Sequence, residues 1–325
     1  MDAKNYKYPV IMDNRRLRDA YPEINEHFNL AKKELDDLPK VNGVVVDGSL
    51  VEFVNCPICN SDKIDQIFVK YGFLLSECRD CTHVFIRNRL KEDFLLKKYA
   101  VSNADKIDRK VQKSDYHQEY WKRVYRKYLD CLKSLNVYRN NLLDIGAGTG
   151  DFLRCCREYS DFNLYALEFA EDTYNEIVKL TGPENFFYQV RLEDVDFGAT
   201  KFDLITLWGV LEHISNPLSM MRKCHDILNI NGHMLILLPN IHSRAFKILG
   251  VNTPTINPRE HIDFYTIESF QMLCRQAGLK VVDLYQELPV IDLMYPYLDY
   301  NDKLIEDIIR KFECYYYIFI VKKST

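Results

Sequence analysis

The sequence predicts an α/β chain in which a parallel sheet carries helices on both faces, preceded by a small cysteine-stapled module and a helical connector. Three observations carry this expectation. From Asn141 onward, short apolar strands alternate with helical segments, the pattern of successive βαβ units. The first of those strands, residues 142–145, breaks into a glycine-rich turn that opens a helix. Ahead of it, residues 56–89 hold two Cys-x-x-Cys pairs.

Composition sets the bounds. At 325 residues, 47% apolar and 13% aromatic, the chain is long enough for two units and apolar enough for a large core. Lys and Arg number 43 against 47 Asp and Glu, a formal net charge of -4, so no broad basic surface is available to neutralise a phosphate backbone. Nucleic acid is therefore a disfavoured partner. Residues 1–10 have no apolar signal core, and the longest apolar run, 314–321, is too short to cross a bilayer. Six of the ten cysteines are scattered, as buried thiols of a reducing compartment are, and a cytoplasmic location with no membrane partner is expected.

Along the chain, residues 1–50 carry no legible function. A helix is expected over 21–38, ended by Pro39, and then a hairpin over 41–53 turning at Asp47-Gly48. The cysteine module spans 51–90 and the helical connector 91–138, with Tyr116, Tyr120, Val124 and Tyr128 at four-residue spacing on one face. The α/β domain occupies 139–325. Strands are expected at 142–145, 164–168, 187–190, 202–208, 234–238, 280–284 and 315–321, the last inserting antiparallel. Helices are expected through Tyr159, from Glu171 and over 267–278, and the long polar segment 240–260 is expected as a lid.

The run Asp144-Ile145-Gly146-Ala147-Gly148-Thr149-Gly150 places small residues where backbone turns tightly, leaving amides and a helix N-terminus facing the crevice at the strand's end. Asp144, at the strand's carboxyl end, suits a cationic amino group. Glu168 ends the next strand, where an acid can accept ribose hydroxyls. The glycine spacing is GxGxG, not the dinucleotide GxGxxG, and there is no phosphate-loop Gly-Lys-Ser/Thr. Hydride transfer and nucleotide hydrolysis lose ground accordingly.

Together with Trp208-Gly209-Val210-Leu211-Glu212-His213-Ile214 after the fourth strand, these residues resemble the class I S-adenosylmethionine-dependent methyltransferases. The resemblance spans about residues 115–325. It implies a Rossmann-like seven-stranded sheet with S-adenosylmethionine bound by Asp144, Gly146, Ala147, Gly148, Gly150 and Glu168, and flanked by Trp208, Gly209 and His213. Leu192 and Glu193, after the third strand, are the positions expected near adenine. Relatives often carry an acid where this chain has Gly209. His213 reads equally as a helix-start histidine with its own hydrogen bond, and Trp208 as core.

Cys56-Pro57-Ile58-Cys59 and Cys78-Arg79-Asp80-Cys81, eighteen residues apart, have the spacing of a two-knuckle tetrahedral zinc site. Four thiolates leave no position for water, so the zinc is expected to be structural and His83 a bystander. A knuckle ahead of a methyltransferase domain resembles a subgroup of sugar methyltransferases, some of which methylate carbon. It is similar, less closely, to an rRNA guanine methyltransferase with an N-terminal zinc site.

Within that resemblance, Glu260-His261 is similar to the Glu-His pair in which histidine is the general base, with Tyr265 as a lesser candidate for binding a hydroxyl. The local alternative is a helix cap at Thr266. The carbon methyltransferases carry a further C-terminal domain that this sequence does not show, which leaves O- or N-methylation open beside C-methylation. The expected acceptor is a small polar molecule, sugar-linked, received between the module and the lid. One rival is an RNA or protein methyltransferase, supported by a basic stripe over Arg79, Arg87, Arg89, Lys91, Lys97 and Lys98. The other is a non-catalytic cofactor-binding scaffold. Oligomeric state is not legible.

Overall fold

The computed structural model describes residues 8–12, 23–91, 103–137, 139–288 and 301–324. Helix α1, Glu23–Asp36, buries His27, Ala31 and Leu35, which recur every four residues along one face. It ends before Pro39, as expected; Tyr21 and Pro22 lie outside the described residues. The hairpin expected at Asp47-Gly48 does not form. Val41 and Val44 bridge instead around Asn42-Gly43, where both residues have positive φ, the backbone that two-residue hairpin turns demand. Asp47 uses its carboxylate to accept from Ser49 N, closing a local turn. The following strand β1, Val51–Phe53, then pairs antiparallel with a strand far ahead in sequence, Asn88–Leu90.

The cysteine module is built on β2 (Ile64–Lys70), β3 (Phe73–Cys78) and β4 (Val84–Ile86), with β5 being Asn88–Leu90. Strands β2 and β3 form a hairpin over Tyr71-Gly72, both left-handed. The connector contains α2, Asn103–Gln112, and α3, Asp115–Ser134, which Ser114 caps by accepting from His117 N. On α3, Tyr120, Val124 and Tyr128 are buried as the spacing predicts. Lys97 and Lys98 lie outside the described residues.

The larger sheet is made of β6 (Arg139–Ile145), β7 (Asp161–Glu168), β8 (Phe186–Tyr188), β9 (Phe202–Trp208), β10 (Leu228–Pro239), β12 (Leu279–Glu287) and β13 (Tyr316–Lys323). Its spatial order is β12-β13-β10-β9-β6-β7-β8, seven strands as expected. Strands β6 to β10 run parallel to one another, while β13 lies antiparallel between β10 and β12. Helices α4 (Asp151–Tyr159), α5 (Tyr174–Thr181), α6 (Pro217–Ile227) and α7 (Arg244–Leu249) connect them. Alternate residues of each strand serve opposite faces. Leu143, Ile145, Ile205 and Ile236 join the core that includes α6, and Leu142, Leu164, Leu204 and Leu235 join the core that includes α3 and α4.

Two features position the site. A short strand β11, Asp263–Phe264, leaves the α/β domain and pairs antiparallel with β4, so the module's sheet has the order β11-β4-β3-β2. The module is thereby stitched to the segment that carries His261. The stitch is polar at its centre: Asp263 Oδ1 accepts from Arg89 Nη2 at 3.2 Å and lies 3.1 Å from His83 Nε2, with all three side chains buried. His83 also meets Ser269 at 3.3 Å, and Thr82 Oγ1 meets Thr266 Oγ1 at 2.9 Å, at the capping box of α8, Ile267–Gln276. Removing one partner of such a buried ionic cluster costs about 3–5 kcal/mol.

The segment 240–260 is anchored: Ile241 and Ile256 are buried in one cluster with Leu35, Phe73 and Leu75. A helix unforeseen in the sequence, α9 at Asp302–Arg310, packs Ile305 and Ile308 beside Leu288 and Cys314. No helix among the described residues is long and apolar enough to cross a membrane.

Candidate active site

A cavity of about 460 Å3 opens at the carboxyl ends of β6 and β9. Its floor is the predicted turn: Asp144, Gly146, Ala147, Gly148 and Asp151 line it. Gly146, Gly148 and Gly150 all have positive φ, and Gly150 is the N-cap of α4. A side chain at Gly148 would meet nothing within 4 Å, so the loop leaves open space there for a ligand against its backbone.

Asp144 is fully buried, and Thr206 Oγ1 donates to its Oδ1 at 2.7 Å. Burial without a cationic partner raises its carboxyl to about 7 despite that hydrogen bond. Such a group suits a ligand ammonium that would supply the missing positive charge, and with the glycine cradle it fits S-adenosylmethionine. Glu168 reaches the same loop: Gly148 N donates to its Oε2 at 2.6 Å, while Phe169 N and Ala170 N donate to Oε1. Its remaining lone pairs are available to hydroxyls.

Aromatic side chains form the wall. Trp208 packs against Tyr125 and Phe152, with ring centroids 4.8 and 5.2 Å away, and lines the cavity. Tyr116, Tyr120, Trp121 and Tyr125 of α3 also line it. Helical spacing showed that α3 has a buried face, but nothing in the spacing said that the face ends in a cavity.

The far end is polar. Gly209, Glu212, His213, Glu260 and His261 line it. His261 Nδ1 lies 2.8 Å from the carbonyl of Thr255; a carbonyl only accepts, so Nδ1 carries the proton and Nε2 keeps its lone pair. The rings of His213 and His261 meet edge to face at 4.7 Å. Burial lowers both, His213 to about 3, so both are neutral imidazoles. Glu212, quoted within the motif but given no role by the sequence, is buried with Oε2 lacking any partner, and burial raises it to about 8. Glu260 pairs with Arg259, which also bonds Glu34.

Three expectations are corrected. Tyr265 does not reach the cavity: it is 1% exposed, packed against His83 and Phe270, with its hydroxyl 3.5 Å from the Leu211 carbonyl. Leu192 faces the core, and Glu193 beside it on a 3-10 turn lies outside the cavity lining, as do Gly150 and Glu168. The basic stripe is broken, because Arg89 is buried on Asp263 and Arg79 pairs with Asp65.

The four module cysteines converge. Cys56 and Cys81 sulfurs lie 3.4 Å apart, as do those of Cys59 and Cys78, and all four ligand atoms fall within 4.8 Å of one another. Zinc–sulfur bonds of about 2.3 Å need sulfurs roughly 3.7 Å apart, so the donor set fits a tetrahedral ion with little adjustment. Each knuckle turn is followed by a left-handed residue, Asn60 and Thr82.

Seven strands in this order, with one antiparallel strand inserted beside the last parallel one, define the chain as a transferase of the α/β methyltransferase fold. Residues 116–284, just over half the chain, match the family described as "Methyltransferase domain". The chain belongs to that family, among the S-adenosylmethionine-dependent methyltransferases. It is 28% identical over 128 residues to the ubiquinone biosynthesis O-methyltransferase of Glaesserella parasuis serovar 5 (strain SH0165), covering 36% of this chain and 52% of that one. The corresponding Vibrio parahaemolyticus protein is 28% identical over 125 residues, with the same coverage. The chain thus spans about half the length of the curated relatives it matches. Among solved structures it is similar to the Burkholderia thailandensis 1,6-didemethyltoxoflavin-N1-methyltransferase with bound 1,6-didemethyltoxoflavin and S-adenosylhomocysteine. That likeness has 13% identity and a TM-score of 0.49, over 80% of this chain and all of that one.

Proposed function

We propose that the chain transfers a methyl group from S-adenosylmethionine to an oxygen of a small polar acceptor, a sugar or nucleotide-linked sugar, and that Cys56, Cys59, Cys78 and Cys81 hold a structural zinc ion. The observation that carries the reading is the single cavity joining the glycine turn and Asp144 to the Glu212, His213 and His261 end. The O-methyltransferase names of the relatives support oxygen as the acceptor atom.

The cofactor supplies a sulfonium methyl that is already activated, so the protein's task is alignment, exclusion of water and removal of one proton. Asp144 would hold the ammonium and Glu168 the ribose, and the wall that includes Trp208 would limit water at the methyl. At the far end the acceptor hydroxyl would give up its proton to Nε2 of His261, whose Nδ1–H is held on the Thr255 carbonyl. The chemistry the bound cofactor would supply is displacement at the methyl carbon, with the carbon–sulfur pair going to sulfur.

Calorimetric titration with S-adenosylmethionine, with NAD as control, tests the cofactor. Transfer of labelled methyl to a panel of sugar nucleotides, free sugars, phenols and bulk RNA tests the acceptor. Binding of the first ligand alone, with label entering a sugar hydroxyl, is expected. Preference for NAD overturns the cofactor, and label confined to RNA overturns the acceptor.

A further inference from the structure

We propose that Glu212, His213 and His261 form a second metal site, binding one divalent first-row cation such as zinc or manganese at the acceptor end of the cavity. The inference rests on the methyl-transfer reading only for what the ion does, not for whether it binds. One carboxylate oxygen and one nitrogen from each imidazole lie within 4.8 Å of one another, and all three residues line the cavity. Two imidazoles and a carboxylate with open positions are a donor set that zinc and its neighbours take with solvent or substrate completing the sphere.

Each ligand is prepared in its own way. Glu212 Oε2 is buried with no partner, an arrangement that costs free energy unless a positive charge arrives. His261 has its Nδ1–H fixed on the Thr255 carbonyl, the outer bond that metal-bound histidines characteristically make, and this directs the Nε2 lone pair as ligand. The His213 ring bonds backbone at Glu260 and Gly209. On ligation it keeps one of these contacts and gives the other nitrogen to the ion. Ile262 N donates to the Glu212 carbonyl at 2.9 Å, so the two ligand-bearing segments are tied beside the site.

Metal–nitrogen bonds of about 2.0–2.1 Å set ligand atoms roughly 3–3.5 Å apart, so the three ends draw together by about 1 Å on binding. Gly209 leaves the flank of Glu212 clear: a Cβ there would lie 3.5 Å from Oε1. An acceptor oxygen fits that open side. The ion lowers the cost of negative charge on this oxygen, its proton passes to water, and the oxygen attacks the methyl carbon as before.

The test is a metal count on the untagged full chain, saturated with Zn2+ and then gel-filtered, without cofactor or acceptor. Two zinc ions per chain are expected, one in the thiolate cluster and one here. Glu212→Gln and His261→Ala, substitutions on different segments, should each leave one ion while still binding S-adenosylmethionine. One ion in the wild type that survives both substitutions, or two in both variants, overturns the proposal. In either case methyl transfer remains as it was, with His261 itself as the base, because the count does not depend on turnover.

Discussion

The two carboxylates at opposite ends of the cavity are equally buried and differently provided for. Asp144 receives the Thr206 hydroxyl on one oxygen, whereas Glu212 has an oxygen with no partner. Neither has a cation beside it among the described residues, and burial raises both, to about 7 and about 8. The difference teaches that burial alone does not define a role. One oxygen anchored by Thr206 suits Asp144 to the single ammonium proposed for it. An unpartnered carboxylate beside two imidazoles suits Glu212 to the shared cation site proposed above.

The contrast breaks most directly at Asp144. Asp144→Ala removes the buried carboxylate proposed to hold the amino group, and loss of one partner of a buried charge pair is worth about 3–5 kcal/mol. S-adenosylmethionine affinity should fall by roughly 10²- to 5 × 10³-fold by calorimetry. Glu212→Gln should leave that affinity within about threefold, since the sites are independent. Equal losses in both variants would merge the two ends into one site.

The pH dependence of stability sharpens the same point. Asp144 is raised from 3.8 to about 7 in the folded protein, so folding favours its protonated form. That contribution is fully present below about pH 4, declines as pH rises and is gone above about pH 7. Asp144→Asn should therefore unfold at higher temperature than wild type at pH 8, by on the order of 4 kcal/mol at most, and show little difference at pH 4. Cofactor binding runs the other way, because the ammonium needs the carboxylate. Its affinity should weaken about tenfold per pH unit below 7.

Next in size is Thr206→Val. Hydrogen bonds to charged groups are worth about 1.5–3 kcal/mol. Without the hydroxyl, the Asp144 carboxyl rises further, so the pH at which cofactor binding sets in should move upward. An unmoved midpoint would mean that Thr206 does not hold the carboxylate.

The Asp144 end was legible because its parts lie close in sequence: the strand, the glycines and the helix they open are consecutive, and Glu168 closes the next strand. The histidine end was legible only in part. Glu212-His213 and His261 are separated by forty-eight residues and meet only because β11 pairs with β4 and because Ile262 bonds back to Glu212. No periodicity announces a two-residue strand that crosses to another sheet. Tyr265 misled for a related reason. Its place beside His261 suggested a hydroxyl near the acceptor, but strand alternation and the following cap at Thr266 turn it into the core. The missed helix α9 follows a segment with no legible pattern, and the turn that forms at Asn42-Gly43 is flanked by too little strand to announce itself beside Asp47-Gly48.

The smallest expected effect separates two glycines of one loop. A Cβ at Gly146 would sit 2.6 Å from Val210 Cγ2, while one at Gly148 would meet nothing within 4 Å. Both have positive φ, which costs a side chain about 1–2 kcal/mol. Gly146→Ala should therefore lower the melting temperature by more than Gly148→Ala, because Val210 is pushed out of place as well. Gly148→Ala should instead be felt in binding: its methyl occupies the space where the cofactor lies against the loop, and affinity should fall about tenfold, or about 1.4 kcal/mol. Wild-type affinity in Gly148→Ala would place the ligand away from the loop, and the Asp144 end would then hold its ammonium without a glycine cradle.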